Sequence, residues 1–196
     1  MTDKDSINIQ GTVYEPRAPK ATPTLAPGDI FHSRYEVIRE LGQGGMGVAY
    51  LANDTLSKEE VVLKVIHPTL VDDKARERMI SEGVMTRKIR NPKIVSVYDV
   101  NEADGQIFLA MEYVQGEPLR NWMQSNMVQN INAPLGQVVR IIQEILAGLT
   151  AAHETGVIHR DLKPENIMIS GDPGGTDFTL RILDFGIATG IKTEVF

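Results

Sequence analysis

The pattern of apolar and polar positions is strand-like over most of the first half of the chain. Short segments rich in Val, Ile, Leu and Tyr alternate with turns rich in Gly, Asn and Asp, which is typical of strands. There are five such segments, YEVIREL, GVAYLAND, VVLKVI, IVSVYDV and QIFLAMEYV, at positions 35–41, 47–54, 61–66, 94–100 and 106–114. The first three segments fit consecutive antiparallel strands, and the last two are predicted as two further strands.

A helical pattern lies between the third and fourth of these segments. It runs from about Asp72 to Arg90 and is followed by Asn91-Pro92. A residue before proline is disfavoured in the helical region, so the helix is predicted to end there. The sheet should therefore carry one helix.

The second half of the chain is patterned for a long helix. Apolar residues recur at helical spacing from Val138 to Ala152, with Pro134 near the predicted start and Gly156 just past the end, as helix termini prefer. Beyond it, NIMIS and FTLRIL flank the polar GDPGGTD, which indicates a short hairpin.

Composition at the start of the chain differs from the rest. Pro16, Pro19, Pro23 and Pro27 stand among Thr, Ala, Lys and Asp, a composition that buries too little apolar surface to offset the entropy of ordering.

The expected fold class is α+β. The predicted domain plan has three parts: a disordered Pro- and Thr-rich tail over 1–28, a strand-rich lobe over 29–114 and a mainly helical region over 115–196.

Composition and charge exclude several classes of function. The chain has 196 residues, 42% of them hydrophobic, and no cysteine, which excludes disulfides, thiol nucleophiles and thiolate metal sites. The net charge is -6 without a dense Lys/Arg run, so a nucleic-acid partner is not expected. No apolar run approaches bilayer length and the first residues do not resemble a leader. We expect no membrane segment and a cytoplasmic location.

The glycine-rich GQGGMG between the first two strands is a candidate phosphate-binding loop. Glycines at 42, 44 and 47 let backbone N–H groups approach phosphate oxygens without a Cβ clash. Alone the motif is weak, because a glycine-rich hairpin turn has the same composition. A dinucleotide-binding fold would require a helix to begin inside the motif, whereas MGVAYLAN is strand-like.

Lys64 is a charged residue inside the apolar segment VVLKVI, and burying an ammonium is costly unless it is paired. In the following helix, Glu82 falls on the same stripe as Met79 and Thr86, a spacing that directs it inward. Glu77, on a neighbouring stripe, is the competing partner.

The strongest chemical signal is HRDLKPENIM, at 159–168. It places Asp161 two residues before Lys163 and five before Asn166, ahead of a strand that leads to Asp184. Carboxylate and amide oxygens are hard ligands suited to Mg²⁺, and a lysine offsets phosphate charge. The set indicates metal-assisted phosphate chemistry.

Together these segments resemble the protein kinases, specifically the bacterial eukaryotic-like Ser/Thr protein kinases. The resemblance is carried, in the family's order, by RYEVIRELGQGGMGVAYLA, VVLKVI, NPKIVSVYDV, AMEYVQGEPL, AAHETGVIHRDLKPENIMI and LDFGIA, from about Arg34 to Ala188. As a set the motifs are highly specific. They imply a bilobal kinase-like fold, with an antiparallel five-stranded N-lobe plus one helix and an incomplete, mainly helical C-lobe.

For the N-lobe motifs, the resemblance implies ATP as the phosphate donor. Gly42, Gly44 and Gly47 would cover its phosphates. Lys64 would hold the α- and β-phosphates while paired with Glu82, which the spacing back from Asn91-Pro92 favours over Glu77.

For the C-lobe motifs, the resemblance implies the transfer chemistry. Asp161 would be the catalytic base that accepts or orients the proton of the substrate hydroxyl. Lys163 would contact the γ-phosphate and points to Ser or Thr as acceptor. Asn166 and Asp184 would bind Mg²⁺, with Mn²⁺ as an alternative, since hard oxygen ligands accept either metal.

The adenine site is implied at MEYV, which resembles the hinge between the lobes. Met111 would be the gatekeeper residue, the backbone at Glu112 and Val114 would meet adenine, and Met168 would supply the floor. Ala49 and Val62 would form the roof, but the family usually has Val at the first position and Ala at the second. This exchange is either a volume-conserving compensation or independent drift.

Protein substrates bearing Ser or Thr are the implied partners, with autophosphorylation as a further option. Arg160 resembles the arginine that pairs with a phosphorylated activation loop. Candidate phosphate acceptors are Thr12, Thr22, Thr24, Thr189 and Thr193. For Thr189 and Thr193, plain loop polarity is the favoured interpretation.

The sequence stops ten residues after Gly186, and two functions remain open. One is an ATP-dependent Ser/Thr protein kinase given as a fragment that lacks most of the activation segment and lower C-lobe. The other is a non-catalytic short form that binds nucleotide or pairs with another kinase as a regulator. The intact Lys64, Asp161, Asn166 and Asp184 favour the first, whereas the abrupt end favours the second for this polypeptide as it stands.

Overall fold

The computed structural model describes residues 24–44, 47–67, 73–103, 105–128 and 133–185. The side chains of Asp73, Ala75, Arg78, Glu82 and Val128 are outside this description. Residues 1–23, most of the predicted tail, lie outside the described residues. Leu25 packs against the core of the first sheet, and Gly28 N donates to Val37 O at 2.8 Å, so the folded part begins within the region predicted as tail.

The N-lobe is an antiparallel sheet with the order β1-β2-β3-β4-β6-β5. Five strands correspond to the predicted segments, and the sixth is the two-residue β1 at the edge. The strands are β1 Ile30–Phe31, β2 Tyr35–Gly44, β3 Gly47–Asp54, β4 Glu60–Ile66, β5 Val97–Ala103 and β6 Gln106–Glu112. β5 starts three residues later than predicted and extends into the predicted turn.

Helix α1, Asp73–Thr86, packs against β5 and β6. It ends four residues before the predicted Arg90, because tight turns replace the helical pattern: Ile89 N donates to Thr86 O at 3.0 Å. Met79 and Thr86, which the spacing predicts on the inward face of this helix, are buried. Gly83 lets the helix approach β5, since a Cβ there would lie 2.7 Å from Val100 Cγ2.

The C-lobe combines two helices with a small sheet of order β7-β8-β9. The long helix was predicted from Val138 to Ala152 and spans Leu135–Glu154, beginning directly after Pro134. Neither β7 nor α2 was predicted. The elements are β7 Glu117–Pro118, α2 Leu119–Val128, α3 Leu135–Glu154, a 3-10 turn Pro164–Asn166, β8 Ile167–Ser170 and β9 Thr179–Ile182.

Helix α3 buries one face and exposes the other. Gly148 allows close packing on β9, because a Cβ there would lie 2.8 Å from Ile182 Cδ1, and Lys93 pairs with Glu144. Helix α3 has 20 residues and contains an 18-residue window with a mean hydropathy of 1.2, which gives it the length and composition of a membrane span, a property that core helices of globular proteins share.

Candidate active site

A cleft of about 440 Å³ separates the N-lobe sheet from β8 and the hinge. It brings together all the residues predicted for the adenine site, with the predicted lysine and one predicted metal ligand. These are Ala49, Val62, Lys64, Met111, Glu112, Val114, Met168 and Asp184. The structure places these residues around one cavity of nucleotide-binding size, and the role of each residue stays a prediction.

The glycine-rich hairpin joins β2 to β3, and positions 45–46 lie outside the described residues. Gly47 has a packing requirement, since a Cβ there would lie 2.0 Å from Val65 O. Gly42 and Gly44 have none, because a Cβ at either would meet nothing within 4 Å. Their small size therefore leaves open space beside the strands, which is what a phosphate-covering loop needs.

Lys64 lies on β4 opposite Ala49 and pairs with Asp184, with 2.8 Å between Nζ and Oδ2. The side chain is only 15% exposed, so this carboxylate offsets the cost of burying the ammonium. The Lys64–Glu82 pair stays a prediction, because the Glu82 side chain lies outside the described residues. Glu77 is exposed on α1.

The loop after α3 holds the predicted catalytic base in a polar network. Lys163 Nζ donates to Asp161 Oδ2 at 2.7 Å, and Asn166 Nδ2 donates to the same oxygen at 3.2 Å and to Asp161 O at 2.8 Å. The bond from Lys163 lowers the pKa of Asp161, with its charge and Asn166 adding to the effect and burial opposing it. The same bond raises the pKa of Lys163. Asp161 is therefore ionised at neutral pH.

His159 connects this loop to the segment carrying Asp184, a role that its place in the sequence does not indicate. The ring is buried; Nδ1 accepts from Asp161 N at 3.3 Å, and Nε2 donates to Leu183 O at 2.8 Å. It also packs against Phe185, with 4.6 Å between ring centroids and a tilt of 55° between the ring planes. One side chain thus positions the backbone of both acidic residues.

The two predicted metal ligands lie on adjacent segments. Leu183 N donates to Asn166 O at 2.8 Å, which places Asp184 beside Asn166. The Asn166 amide group bonds Asp161 through its nitrogen, so its Oδ1 is the atom suited to a metal. A carboxylate and a carboxamide fit a cation that takes its other ligands from phosphates and water, as Mg²⁺ does. Among the residues that the structure describes, no cluster of three acidic or histidine ligands occurs.

Two residues at the same place have a strained backbone. Arg160 has φ 64° and Asp184 has φ 57°, left-handed conformations that are uncommon for residues other than glycine; the other described examples, His32, Ser33 and Lys58, lie in the N-lobe. Such strain costs about 1–3 kcal/mol per residue and persists where surrounding contacts impose it, often at functional sites. Residues 186–196, including Gly186, Thr189 and Thr193, are not among those described, and neither are Thr12 and Thr22.

Sequence reasoning missed part of the cleft wall. Gly116 follows the hinge with φ 148°, and a Cβ there would lie 2.2 Å from Ile169 O; this close approach depends on tertiary structure and leaves no local signal. The other lining residues not singled out are Arg39, Leu41, Tyr113, Pro118 and Leu183.

Two lobes with a glycine-rich hairpin above the cleft and an Asp-Lys-Asn loop below it define the kinase class of fold and site. The family model for the protein kinase domain matches residues 35–195. The chain belongs to the protein kinase family, and the predicted α+β, bilobal fold is confirmed.

Known relatives agree with this assignment. The chain is 41% identical over 163 residues to the serine/threonine-protein kinase pkn3 of Myxococcus xanthus, covering 82% of this chain and 29% of that protein. It is 38% identical over 166 residues to the probable serine/threonine-protein kinase pknA2 of Bifidobacterium longum, covering 83% and 21%. The crystal structure of the Mycobacterium tuberculosis PknI kinase domain matches with a TM-score of 0.73 and 33% identity, covering 84% of this chain and 64% of that one.

The chain thus spans less than a third of these two curated relatives and about two thirds of the PknI kinase domain chain.

Proposed function

We propose that this chain carries the nucleotide-binding and catalytic part of a bacterial Ser/Thr protein kinase that transfers the γ-phosphate of ATP to Ser or Thr hydroxyls of proteins. The observation that carries the proposal is the contact between Lys64 of the N-lobe and Asp184 of the C-lobe across the cleft, next to the Asp161 network. A nucleotide bound there would contact cationic, carboxylate and amide groups, which are the groups that phosphoryl transfer requires.

In this proposal each residue either holds a reacting group in position or offsets the charge on the phosphate. The hydroxyl oxygen of the substrate attacks the γ-phosphorus, the bond to the β-phosphate bridging oxygen breaks, and ADP leaves. Lys163 and Asn166 both bond Oδ2 of Asp161, so Oδ1 is the oxygen we assign to the hydroxyl and its proton. Holding the acceptor in line and offsetting charge on the phosphoryl oxygens supplies most of the rate.

The divalent metal and the acceptor follow from the same residues. Kinases use ATP with a divalent metal, and we assign Mg²⁺ to Asn166 and Asp184, where it would neutralise phosphate charge when bound. Lys163 supports Ser or Thr as acceptor. Autophosphorylation on Thr24, which is exposed, or on other threonines belongs to the proposal, as does action in the cytoplasm.

The test is transfer of labelled γ-phosphate from ATP with Mg²⁺ to the chain itself and to a generic basic protein. We expect the parent to incorporate label and Asp161→Asn to lose it by at least about 100-fold, with unchanged ATP affinity. Folded parent protein that binds ATP but transfers no label would instead support the non-catalytic regulatory function. Equal label in parent and variant would refute the role of Asp161.

A further inference from the structure

A polar cluster ties the hinge to the floor of the cleft. Glu112, the last residue of β6, accepts from Ser96 N at 3.1 Å through Oε2 and from Arg181 Nε at 3.4 Å through Oε1. Ser96 precedes β5, and Arg181 lies in β9. One carboxylate therefore joins three segments that meet behind the adenine site, and the transfer chemistry uses neither Ser96 nor Arg181.

The sheet register explains how Arg181 reaches the hinge. Arg181 is the cross-strand partner of Met168, and the side chains of paired residues stand on the same face of a sheet. Met168 lines the cleft, so the arginine leaves β9 on the cleft side. It approaches the hinge from the same surface that supplies the predicted floor for adenine.

Backbone hydrogen bonds hold Ser96, the third residue of the cluster, in place. Glu112 N donates to Ser96 O at 2.9 Å, Val95 N donates to Ile182 O at 3.0 Å and Ile182 N donates to Lys93 O at 2.8 Å. The segment 93–96 is thus fixed to the hinge on one side and to β9 on the other. The contact between Glu112 and Arg181 closes this ring of interactions.

We propose that Arg181 is a positioning residue for nucleotide binding, which fixes the hinge backbone at Glu112 at the separation from Met168 that an adenine ring requires. The inference rests on the proposed function, since the hinge is the predicted adenine contact. The guanidinium is planar and keeps its charge, which suits it to hold a carboxylate. Because the bonds of Arg181 go to Glu112 and to Leu180 O and not to a residue assigned to the phosphates or the acceptor, its loss should weaken ATP binding and leave the transfer step unchanged.

The experiment compares Arg181→Gln with Arg181→Lys, which keeps the charge. Arg76→Gln is the matched control, because Arg76 and Glu102 form an ion pair of similar exposure between α1 and β5, outside the cleft lining. Binding of ATP with Mg²⁺ is measured by calorimetry, and KM and kcat by labelled-phosphate transfer. R181Q should raise Kd and KM about three- to fivefold with kcat within about twofold, the range for an incompletely buried ion pair. R181K and R76Q should stay within about twofold of the parent.

Three results would overturn the proposal: an unchanged Kd in R181Q, an equal loss in R76Q, or a kcat that rises while KM stays constant. The last would mean that the cluster restrains lobe movement and does not position the hinge. If R181Q fails to fold, Glu112→Gln removes the same charge attraction and should raise Kd by the same factor. Where both single variants fold, the double variant should lose no more than the larger single loss.

Calorimetry separates this inference from the proposed function, because ATP binding does not require transfer. A parent that binds ATP but transfers no phosphate refutes the catalytic function, and the Kd comparison still decides the role of Arg181. A parent that transfers phosphate, with R181Q binding ATP as tightly as the parent, refutes the inference alone. A parent that does not bind ATP refutes both.

Discussion

The sheet core of the N-lobe and the long helix of the C-lobe differ in how completely their apolar residues are buried. In the N-lobe, Tyr50, Leu63 and Phe108 are fully buried within one sheet and its packing partners. In the C-lobe, the inner face of α3 packs on β9, but its outer face presents Leu135, Ile142 and Leu146 at 78%, 49% and 56% exposure. Apolar stripes of this kind mark surfaces that other protein covers.

Different contacts hold the roof of the cleft and the catalytic loop below it. The roof of the cleft is a hydrogen-bonded sheet over its own core. The catalytic loop below is fixed by local polar contacts, through His159, Asn166 and the backbone of Leu183, and by the buried Phe185. None of these contacts uses the outer face of α3, so the geometry at Asp161 does not depend directly on what covers that face.

The largest loss of activity is expected when the contact between Lys64 and Asp184, which joins the two lobes, is removed. Lys64→Met and Asp184→Asn should each lower turnover by at least about 100-fold, because each removes a charge that the proposed function assigns to phosphate or its metal. Labelled-phosphate transfer measures this, with thermal unfolding as a check that the fold is intact. A folded variant that keeps more than about a tenth of the parent rate would show that the lobes contribute to the reaction independently.

A matched pair of leucine substitutions tests the difference in burial itself. Leu63→Ala should lower the free energy of unfolding by about 2–5 kcal/mol, since it leaves a cavity in the N-lobe core. Leu146→Ala removes the same atoms from an exposed position and should change it by less than about 0.5 kcal/mol. Urea unfolding measures both. An equally large loss in L146A would show that another surface covers the outer face of α3 in solution.

The Arg34–Asp54 pair gives the N-lobe a pH dependence of known sign. Arg34 Nη2 lies 2.6 Å from Asp54 Oδ2, and this bond lowers the pKa of Asp54 from 3.8 to about 2. A carboxylate with a depressed pKa stabilises the fold above its unfolded pKa, and this stability is lost as the pH falls from about 4 to about 2. Asp54→Asn should cost about 2 kcal/mol at pH 7 and much less at pH 2.

Urea unfolding at the two pH values checks this, with Arg34→Gln as the matched variant that removes the partner. The double variant should lose no more than the larger single loss. A cost of D54N that is the same at pH 2 and pH 7 would contradict the assigned origin of the stability.

The sheet could be predicted almost completely because each strand carries its own apolar alternation between turn residues. Helix α2 could not, because its apolar Trp122 and Met123 stand among Asn, Ser and Gln, which are weak helix formers or neutral on a surface. The end of α1 was placed too late, because the proline rule marks where a helix must stop and tight turns ended it earlier.

The site residues could be predicted from residue type and order, because phosphate and metal chemistry restricts which side chains serve. The contact of Lys64 with Asp184 could not, since it depends on the left-handed backbone at Asp184 and on the spacing of the lobes. The same holds for the Glu112–Arg181 contact, which joins residues 69 positions apart. Such pairs follow from tertiary structure and leave no local pattern.

The smallest effect concerns the roof of the cleft, the part of the site built wholly from the N-lobe. Ala49 is the cross-strand partner of Gly42 and Lys64, whereas Val62 stands opposite Met111. The smaller roof residue therefore lies toward the glycine-rich hairpin and the larger one toward the gatekeeper position. If the exchange of large and small residues is compensatory, Ala49→Val crowds the roof near the hairpin and should raise Kd for ATP about five- to tenfold, at the low end of overpacking costs.

The double variant Ala49→Val/Val62→Ala supplies the control, because it restores the total volume with the two sizes reversed. Compensation predicts that it recovers most of the lost affinity, since volume-conserving apolar exchanges are tolerated. Calorimetric Kd values for the parent, both single variants and the double variant decide the matter. An Ala49→Val protein that binds ATP as well as the parent would mean that the two positions drifted independently and that the roof, unlike the sheet core behind it, tolerates change.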